Sequence, residues 1–302
     1  MDGILNVYKE KGYTSHDVVA KLRGILHQKK IGHTGTLDPD AVGVLPVCCG
    51  KATKVCELLT DKEKSYRAVC QLGVDTDTQD MSGTVLETRS YEEVTLERLQ
   101  QVLESFQGDI LQIPPMYSAL KVNGKKLYEL AREGKTVERK PRPVRIIRLE
   151  LVETDLTQGR FTLDVTCSKG TYIRTLCHDI GEKLGCLASM ESLVRTKVDC
   201  FCLEDALSLE QIQELAVQGE EVLLSKVRSV DSLFPEYPRV QIREEFARKL
   251  ANGNPLLPRF FIQDKLLYRL EPESHFLVYD EFGNFKAVYQ KKDRDLRVKQ
   301  MF

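Results

Sequence analysis

The sequence predicts an α+β fold that ends in a small β-rich region. The 302-residue chain contains segments of alternating apolar and polar residues, as at 64–72, a pattern typical of half-buried strands. Residues 144–156 and 160–167 are two strand-like segments joined around Gln158-Gly159, which predicts an antiparallel hairpin. Between such segments lie amphipathic helices that begin at a capping side chain, as at Thr95.

The chain begins with a predicted strand at 4–9 and a helix capped by Thr14 or Ser15. The stretch 32–46, GHTGTLDPDAVGVLP, follows and is predicted to be a loop, because its glycines and prolines disfavour regular structure. Asp38 precedes proline, which pushes its backbone toward an extended conformation. A rigid loop that presents one carboxylate is a common way to build an active site. The alternative is a turn-capping aspartate beside a surface histidine, His33.

The remaining elements alternate between helices and strands. The predicted segments are a short helix at 52–59, a strand at 64–72, a polar loop at 75–80, helices at 95–107 and 127–132, the hairpin 144–167, and helices at 175–184, 209–215 and 244–252. Phe234-Pro235-Glu236-Tyr237-Pro238 resembles a linker and divides the chain into predicted domains 1–233 and 234–302. A hairpin of residues 275–279 and 285–289 indicates that the second domain is rich in strands.

Charge is distributed unevenly along a chain whose formal net charge is −1. Residues 121–148 contain ten Lys or Arg and three Glu, and residues 234–302 contain thirteen Lys or Arg and ten Asp or Glu. Local basic segments on a neutral protein are typical of phosphate binding, although a solvated surface is the simpler reading. We expect 117–145 to be a flexible basic flap over an RNA backbone.

Other features of composition narrow the class of protein. No apolar run approaches the length of a membrane span, and the first residues lack the layout of a signal peptide. The nine cysteines form no C-x-x-C pair, which argues against zinc and for reduced thiols. We therefore expect a cytoplasmic protein without a membrane partner.

Four motifs resemble those of the bacterial tRNA pseudouridine-55 synthases, the TruB family. The longest is GHTGTLDP at 32–39, continued by GVLP at 43–46 and GKATK at 50–54. Residues 9–15 are similar to the first motif of the family, with Glu10 where proline is usual. Residues 169–175, KGTYIRT, and 192–195, SLVR, are similar to the later motifs. The resemblance implies a pseudouridine synthase fold, with a mixed, largely antiparallel sheet, flanking helices and a C-terminal PUA-like RNA-binding domain.

The resemblance also implies site residues. Asp38 would be the essential catalytic group, held ionised by Arg174 through a bidentate pair, and Tyr66 would stack on the detached base. His33 would stack or fill the space left by flipped bases, with general acid–base chemistry and metal binding as alternatives. Tyr172, Leu193 and Lys9 complete the set as substrate-binding residues, although Lys9 could equally be a surface lysine at the end of a strand.

The implied reaction converts uridine to pseudouridine at position 55 in the T loop of tRNA. The uridine must be flipped out of its stack before Asp38 reaches it. No atoms are exchanged, so no cofactor or metal is expected, and the residues do not decide between nucleophilic attack and proton abstraction by Asp38. We expect a monomer whose partner is the T arm of tRNA.

Two other functions fit parts of the pattern. An RNA-binding or RNA-chaperone protein of the same fold would keep the basic segments, but would not need Asp38, Tyr66 and Arg174 together. A hydrolase of N-glycosidic bonds would need a positioned water and usually a second carboxylate. Asp40 is near in sequence, but Pro39 lies between the two and directs it elsewhere.

Overall fold

A computed structural model describes residues 1–122, 124–293 and 295–302 of the chain. Asn123, within the predicted flap, and Arg294, within the predicted second domain, lie outside the described residues. The chain divides into two compact units. One unit contains residues 6–47 and 56–223, and the other contains 1–5, 48–55 and 224–302. The second unit is thus not a single segment after residue 233, and the functional assignment of 1–233 and 234–302 stays a prediction.

The described residues form strands and helices throughout the chain. The strands are β1 (Gly3–Lys9), β2 (Ile31–His33), β3 (Val42–Cys49), β4 (Lys64–Leu72), β5 (Val74–Thr76), β6 (Val85–Thr88), β7 (Gly108–Gln112), β8 (Lys121–Val122), β9 (Lys125–Lys126), β10 (Arg142–Asp155), β11 (Arg160–Cys167), β12 (Ala188–Val198), β13 (Phe201–Cys202), β14 (Arg239–Gln241), β15 (His275–Tyr279), β16 (Phe285–Lys291) and β17 (Leu296–Met301). The α-helices are α1 (Ser15–Ile25), α2 (Cys56–Thr60), α3 (Leu96–Glu104), α4 (Leu127–Arg132), α5 (Ile173–Leu184), α6 (Leu209–Gln218), α7 (Glu220–Leu224), α8 (Ala247–Ala251) and α9 (Asp264–Arg269). Short 3₁₀ helices occupy Gly50–Val55, Leu203–Asp205, Val230–Leu233, Glu244–Phe246 and Pro258–Phe260.

The largest sheet has the strand order β1-β3-β12-β4-β11-β10-β7. Strand β12 lies between two strands that precede it by more than a hundred residues. It pairs in parallel with β3, where Arg195 is opposite Gly43, and antiparallel with β4 on its other side. The pairs β4–β11, β11–β10 and β10–β7 are antiparallel as well. The predicted α+β class, with a mixed and largely antiparallel sheet, is confirmed.

Helices α3 and α5 bury their apolar faces against this sheet. Leu99, Val102 and Leu103 of α3 and Leu176 and Ile180 of α5 are at most 5% exposed and share one core with the inward residues of β4, β11 and β12. Removing a side chain of this size from water contributes about 1.5–3 kcal/mol. This core fixes the start of α5 beside β4, which matters for the site described below.

Local sequence signals determine several helix ends. Thr14 caps α1 in a capping box with Asp17, and Ser208 caps α6 in the same way with Gln211. In such a box two otherwise unpaired backbone N–H groups find side-chain acceptors. Helix α4 occupies the predicted residues 127–132, and α5 ends at Gly185, whose φ is +85°.

The prediction of a loop across the whole stretch 32–46 is wrong at both ends. Residues 32 and 33 belong to β2, and β3 begins at Val42 and includes Pro46. A glycine in β3 explains part of the difference. Gly43 has a φ of +106°, and a Cβ atom there would lie 2.3 Å from the backbone oxygen of Arg195. Glycine is therefore what allows β3 to approach β12, and only 34–41 remain as loop.

The basic segment 117–145, which we expected to be a flexible flap, contains strands as well as the predicted helix. It contains the β8–β9 pair and α4, which enclose a small core of Met116, Leu127 and Leu130. Its C-terminal end belongs to the sheet, because Arg142–Ile146 pairs with β7.

Residues 239–301 of the other compact unit form a four-stranded sheet in the order β14-β15-β16-β17. The pair β14–β15 is parallel and the other two pairs are antiparallel. Phe261, Phe276 and Tyr289 are fully buried in its core. The predicted β-rich C-terminal region and its hairpin are thereby confirmed. Across the described residues, no helix combines the length and the hydrophobicity needed to cross a membrane.

Candidate active site

The structure brings Asp38 and Arg174 into an ion pair. The Nε atom of Arg174 lies 2.9 Å from Oδ2 of Asp38. The arginine side chain is 6% exposed, whereas that of Asp38 is 43% exposed. A buried guanidinium therefore holds a carboxylate that solvent, or a substrate, can still reach.

Backbone and side-chain contacts fix the loop that carries Asp38. The N–H of Leu37 donates to the buried Ser15 hydroxyl at 2.9 Å, and the N–H of Gly12 donates to the Pro39 carbonyl at 2.9 Å. The N–H of Ala41 closes a turn on the Asp38 carbonyl at 3.1 Å. Leu37 and Ala41 are buried on either side of Asp38. The loop is thus anchored at both ends, and the carboxylate between them is left accessible.

The expected bidentate pair between Arg174 and Asp38 is wrong. Only Nε meets Asp38, because the other two nitrogens have separate partners. Nη1 donates to the Thr78 carbonyl at 2.8 Å, and Nη2 donates to the Tyr117 carbonyl at 2.8 Å. These carbonyl contacts hold the guanidinium plane so that one edge faces Asp38.

Asp80, which lies in the predicted polar loop 75–80, is a second carboxylate beside Arg174. Its Oδ2 lies 3.6 Å from Nη1, and its Oδ1 accepts hydrogen bonds from the Thr78 and Ser82 hydroxyls. The side chain is 17% exposed. Three carboxylates and two threonines in residues 75–80 were the available signal, but nothing in the sequence indicated which carboxylate turns inward.

Tyr66 and Leu193 belong to the apolar core against which the loop of Asp38 packs. Both are buried and belong to the core cluster that contains Leu37 and Ala41. Burial raises the pKa of Tyr66 to about 12, the nearby Asp38 carboxylate acts in the same direction, and Arg195 opposes both. The tyrosine is therefore a neutral phenol at neutral pH.

Tyr172 occupies the N-cap position of α5, two residues before Arg174. Its N–H donates to Gln112 Oε1 at 3.0 Å, and its carbonyl accepts from Gln112 Nε2 at 3.1 Å. Burial raises the pKa of its phenol, Asp38 adds to this, and Arg142 and Arg174 oppose it. Tyr172 thus lies within electrostatic reach of both members of the ion pair, and the Gln112 clamp fixes its backbone.

Lys9 is buried, whereas a substrate-binding lysine or a surface lysine was expected. It is 0% exposed, and its ammonium donates to the carbonyls of Glu10, Pro39 and Ala41 at 3.1, 3.0 and 2.6 Å. All three of its hydrogens are used on backbone oxygens, two of which belong to the loop of Asp38. We therefore reassign Lys9 to the support of that loop.

His33 lies at the start of the same loop. Its Nδ1 accepts from the N–H of Gly35 at 3.3 Å, and its ring faces His16 edge to face at 5.1 Å between centroids. Burial, His16 and Arg195 all lower the pKa of His33. The imidazole is therefore neutral at neutral pH and partly exposed. Across the described residues, no three His, Cys, Asp or Glu side chains are arranged to hold a metal ion.

Known families match this chain over most of its length. A family model described as TruB family pseudouridylate synthase (N terminal domain) matches residues 23–173. A second model, described as tRNA pseudouridylate synthase B C-terminal domain, matches residues 174–234.

Individual proteins give the same picture. The chain is 50% identical to tRNA pseudouridine synthase B of Lachnoclostridium phytofermentans, over 97% of this chain and 96% of that protein. It is 45% identical to the protein of that name in Halalkalibacterium halodurans, over 96% and 93%. Among solved structures, a chain in the crystal structure of a Cbf5-Nop10-Gar1 complex superimposes with a TM-score of 0.72 at 25% identity, covering 99% of this chain and 84% of that one.

Proposed function

Since this chain belongs to the TruB family of pseudouridylate synthases, we propose that it is a tRNA pseudouridine synthase that converts uridine 55 in the T loop. The observation that carries the proposal is the ion pair of the exposed Asp38 with the buried Arg174. It lies beside two tyrosines and an apolar wall, and each component has a task in this reaction.

Asp38 is the catalytic group. The reaction breaks the bond between ribose C1′ and N1 of the base, turns the base over, and joins C1′ to C5. A carboxylate can begin this by attacking the sugar or base, or by removing a ribose proton. Arg174 orients the carboxylate and leaves the rest of it accessible. Both routes require the same oriented carboxylate.

Tyr66, Tyr172 and Leu193 hold the base while it is detached. An aromatic face binds a flat base in more than one orientation, which a rotating uracil requires. Because the pKa of Tyr66 is about 12, its hydroxyl accepts the C5 proton only as a rare phenolate. We therefore assign Tyr66 first to stacking and second to proton transfer.

His33 has a steric task rather than an electrostatic one. A neutral, partly exposed imidazole cannot attract a phosphate by charge, but it can stack against a base or occupy the space that a flipped nucleotide vacates. Flipping costs a few kcal/mol, and a side chain that fills the gap offsets part of this. The T arm is the RNA element in which this would occur.

The test of the catalytic group compares two aspartates on one loop. Asp38→Asn should abolish tritium release from tRNA labelled at C5 of uridine, and tRNA should still bind. Asp40→Asn is the matched control, because Asp40 is exposed and, among the described residues, its one ion pair is with Lys11 at 4.0 Å. It should keep near-normal activity. Turnover by Asp38→Asn, or equal losses in both variants, would exclude the assigned role.

The test of the reaction type examines the products. Mass mapping of tRNA after incubation should find one pseudouridine, at position 55, and a T-arm hairpin should be modified while an anticodon-arm hairpin is not. Free uracil would instead indicate a hydrolase, and binding without any product would indicate an RNA-binding protein of the same fold.

We also propose that residues 234–302 form a PUA-like domain that binds RNA, and that the protein acts as a monomer in the cytoplasm. The net positive charge of 234–302, with thirteen basic and ten acidic residues, supports RNA binding. Sedimentation velocity over a hundredfold range of concentration should give one species with the mass of a single chain.

A further inference from the structure

Arg195 is a buried cation that the proposed chemistry does not yet use. It is 1% exposed and is the largest fully buried side chain of the described residues. Its Nε donates to the Val44 carbonyl at 2.7 Å, Nη1 to the Thr36 carbonyl at 3.4 Å, and Nη2 to the Gly35 carbonyl at 3.3 Å. All three carbonyls belong to residues 35–44, the segment that contains Asp38.

The sheet places this side chain between the two halves of the site. On β12, Arg195 is opposite Gly43 of β3 and opposite Tyr66 of β4. It is also two residues after Leu193, so that both face the same side of the strand. One residue therefore borders the loop of Asp38, the stacking tyrosine and the apolar wall.

Burial of the Arg195 guanidinium is energetically unfavourable, and its hydrogen bonds show which groups compensate for this. An isolated buried charge loses its hydration, and only well-placed dipoles compensate for it. Here the dipoles are carbonyls of the catalytic loop, so the loop conformation and the arginine depend on each other. The positive charge also favours the ionised form of Tyr66, and it lowers the pKa of Lys9, His33 and Lys64.

We propose that Arg195 is a positioning residue for the isomerisation, whose planar guanidinium fixes the backbone at Gly35 and Thr36, and thus Asp38, relative to Tyr66. The inference rests on the proposed function. It distinguishes Arg195 from Arg174, which touches the catalytic carboxylate itself. A lysine in this place would carry the charge but lacks the rigid planar fork that reaches the three carbonyls from three separate nitrogens.

The experiment measures single-turnover tritium release with enzyme in excess over C5-labelled tRNA. We expect Arg195→Gln to lower the rate about 100-fold, because a misplacement of about 1 Å has this effect, and Arg195→Lys to recover part of the loss. For both variants, the tRNA dissociation constant should stay within about threefold of the value for the protein without substitutions. Arg67→Gln is the matched control. Arg67 follows Tyr66 on β4, is exposed and forms an ion pair with Asp164. This substitution should leave the rate unchanged.

A double variant separates positioning from a general loss of stability. Rates are expressed per folded molecule, with the folded fraction taken from near-UV circular dichroism. If Arg195 acts partly through Tyr66, the rate of the double variant Tyr66→Phe/Arg195→Lys falls by a smaller factor than the product of the factors for the two single variants. A multiplicative loss, or a normal rate per folded molecule in Arg195→Lys, would overturn the inference. Should Arg195→Gln fail to fold, Arg195→Lys and the double variant still decide.

The unmodified protein in the same assay tests the proposed function separately. No tritium release from it would overturn the function itself. An active unmodified protein with a fully active Arg195→Lys would overturn only the role of Arg195.

Discussion

At the scale of single residues, the candidate site contains two kinds of cation. Arg174 meets the Asp38 carboxylate directly, whereas Lys9 and Arg195 bind carbonyl oxygens of the loop around it. A cation on a carboxylate orients it, and a cation on carbonyls fixes the backbone that carries it. Under the role proposed for Asp38, the reaction would depend on three buried positive charges with different partners.

Lys9 predicts a pH dependence in which activity and stability separate. Burial lowers its pKa to about 8, although Asp38 and Asp40 oppose this. The unfolded value is about 10.4, so the folded state binds fewer protons between these limits. The cost of burying the charged lysine is present below pH 8 and is relieved as pH rises toward 10.4, so this group does not destabilise the fold in alkali. The neutral amine nevertheless has one hydrogen fewer for three carbonyls.

We therefore expect the single-turnover rate to fall as pH rises from 7.5 to 9 while the melting temperature shows no matching loss from this group. Lys9→Met should be slower at every pH and lack most of the fall. Lys64 is a necessary comparison, because its pKa is also lowered to about 8 by burial. The part of the fall that persists in Lys9→Met is assigned to Lys64, and a flat profile in the unmodified protein would contradict the prediction.

The residue types at the site could be predicted, but most of their partners could not. Asp38 stood out because Pro39 restricts its backbone and the surrounding glycines disfavour regular structure, and such effects are local. The single-nitrogen contact of Arg174, the burial of Lys9 and the approach of Asp80 depend on chain segments far away in sequence. Arg195 had two signals, since it ends the motif SLVR and its i+2 spacing from Leu193 puts both on the same face of a strand. Arginine is mostly exposed in proteins, so the burial of Arg195 could not be predicted from the sequence.

At the scale of elements, the approach of β3 to β12 depends on Gly43. A methyl group at this position would lie 2.3 Å from the Arg195 oxygen, and the φ of +106° is unfavourable for any other residue. We expect Gly43→Ala to lower the free energy of unfolding by about 3 kcal/mol or more and to reduce activity per folded molecule, because Arg195 must shift. Urea denaturation combined with the tritium assay measures both effects.

Gly24→Ala is the control for that substitution. Gly24 lies within α1, and an added Cβ atom would meet nothing within 4 Å. Alanine in a helix is favoured over glycine by about 0.5–1 kcal/mol, so this variant should be slightly more stable and fully active. A loss in Gly43→Ala no larger than about 1 kcal/mol would mean that the strands adjust without strain.

Elements were predictable where their signals are short in range. The capping boxes of α1 and α6 and the residues of α4 followed from neighbours within four positions. Strand β3 was missed because its glycine and proline are unfavourable in isolation, and tertiary pairing with β12 outweighs that preference. The small core of the basic segment was not predicted for a similar reason, since it is built from residues up to fourteen positions apart.

At the scale of the whole molecule, the distribution of charge predicts the salt dependence of tRNA binding. Lys121, Lys140 and Arg142 are exposed basic residues of the segment 117–145 without a carboxylate partner among the described ion pairs. Replacing all three by glutamine should weaken binding and reduce the slope of log K against log salt by roughly two units, since each phosphate contact contributes about 0.7–0.9. Filter binding between about 50 and 200 mM salt gives the slope.

A second triple variant controls for the loss of net charge. Arg67, Arg148 and Arg160 are also exposed, but each pairs with a carboxylate, on Asp164, Glu150 and Glu191 respectively. Their replacement by glutamine also removes three positive charges, here from the surface of the sheet, and should leave the slope of log K against log salt unchanged. Equal reductions in both triple variants would show that net charge, rather than the basic segment, governs the affinity.

The position of β12 between β3 and β4 has a consequence for synthesis. During translation, β4, the later of the two neighbouring strands, emerges roughly 120 residues before β12, which must enter between β3 and β4. At 5–20 residues per second, this is a delay of about 6–25 s. Until then Leu193 and Arg195 are absent beside Tyr66, and the candidate site is incomplete. A ribosome-bound chain should thus remain inert toward RNA modification until residue 198 has left the exit tunnel, and the enzyme acquires its activity in one late step.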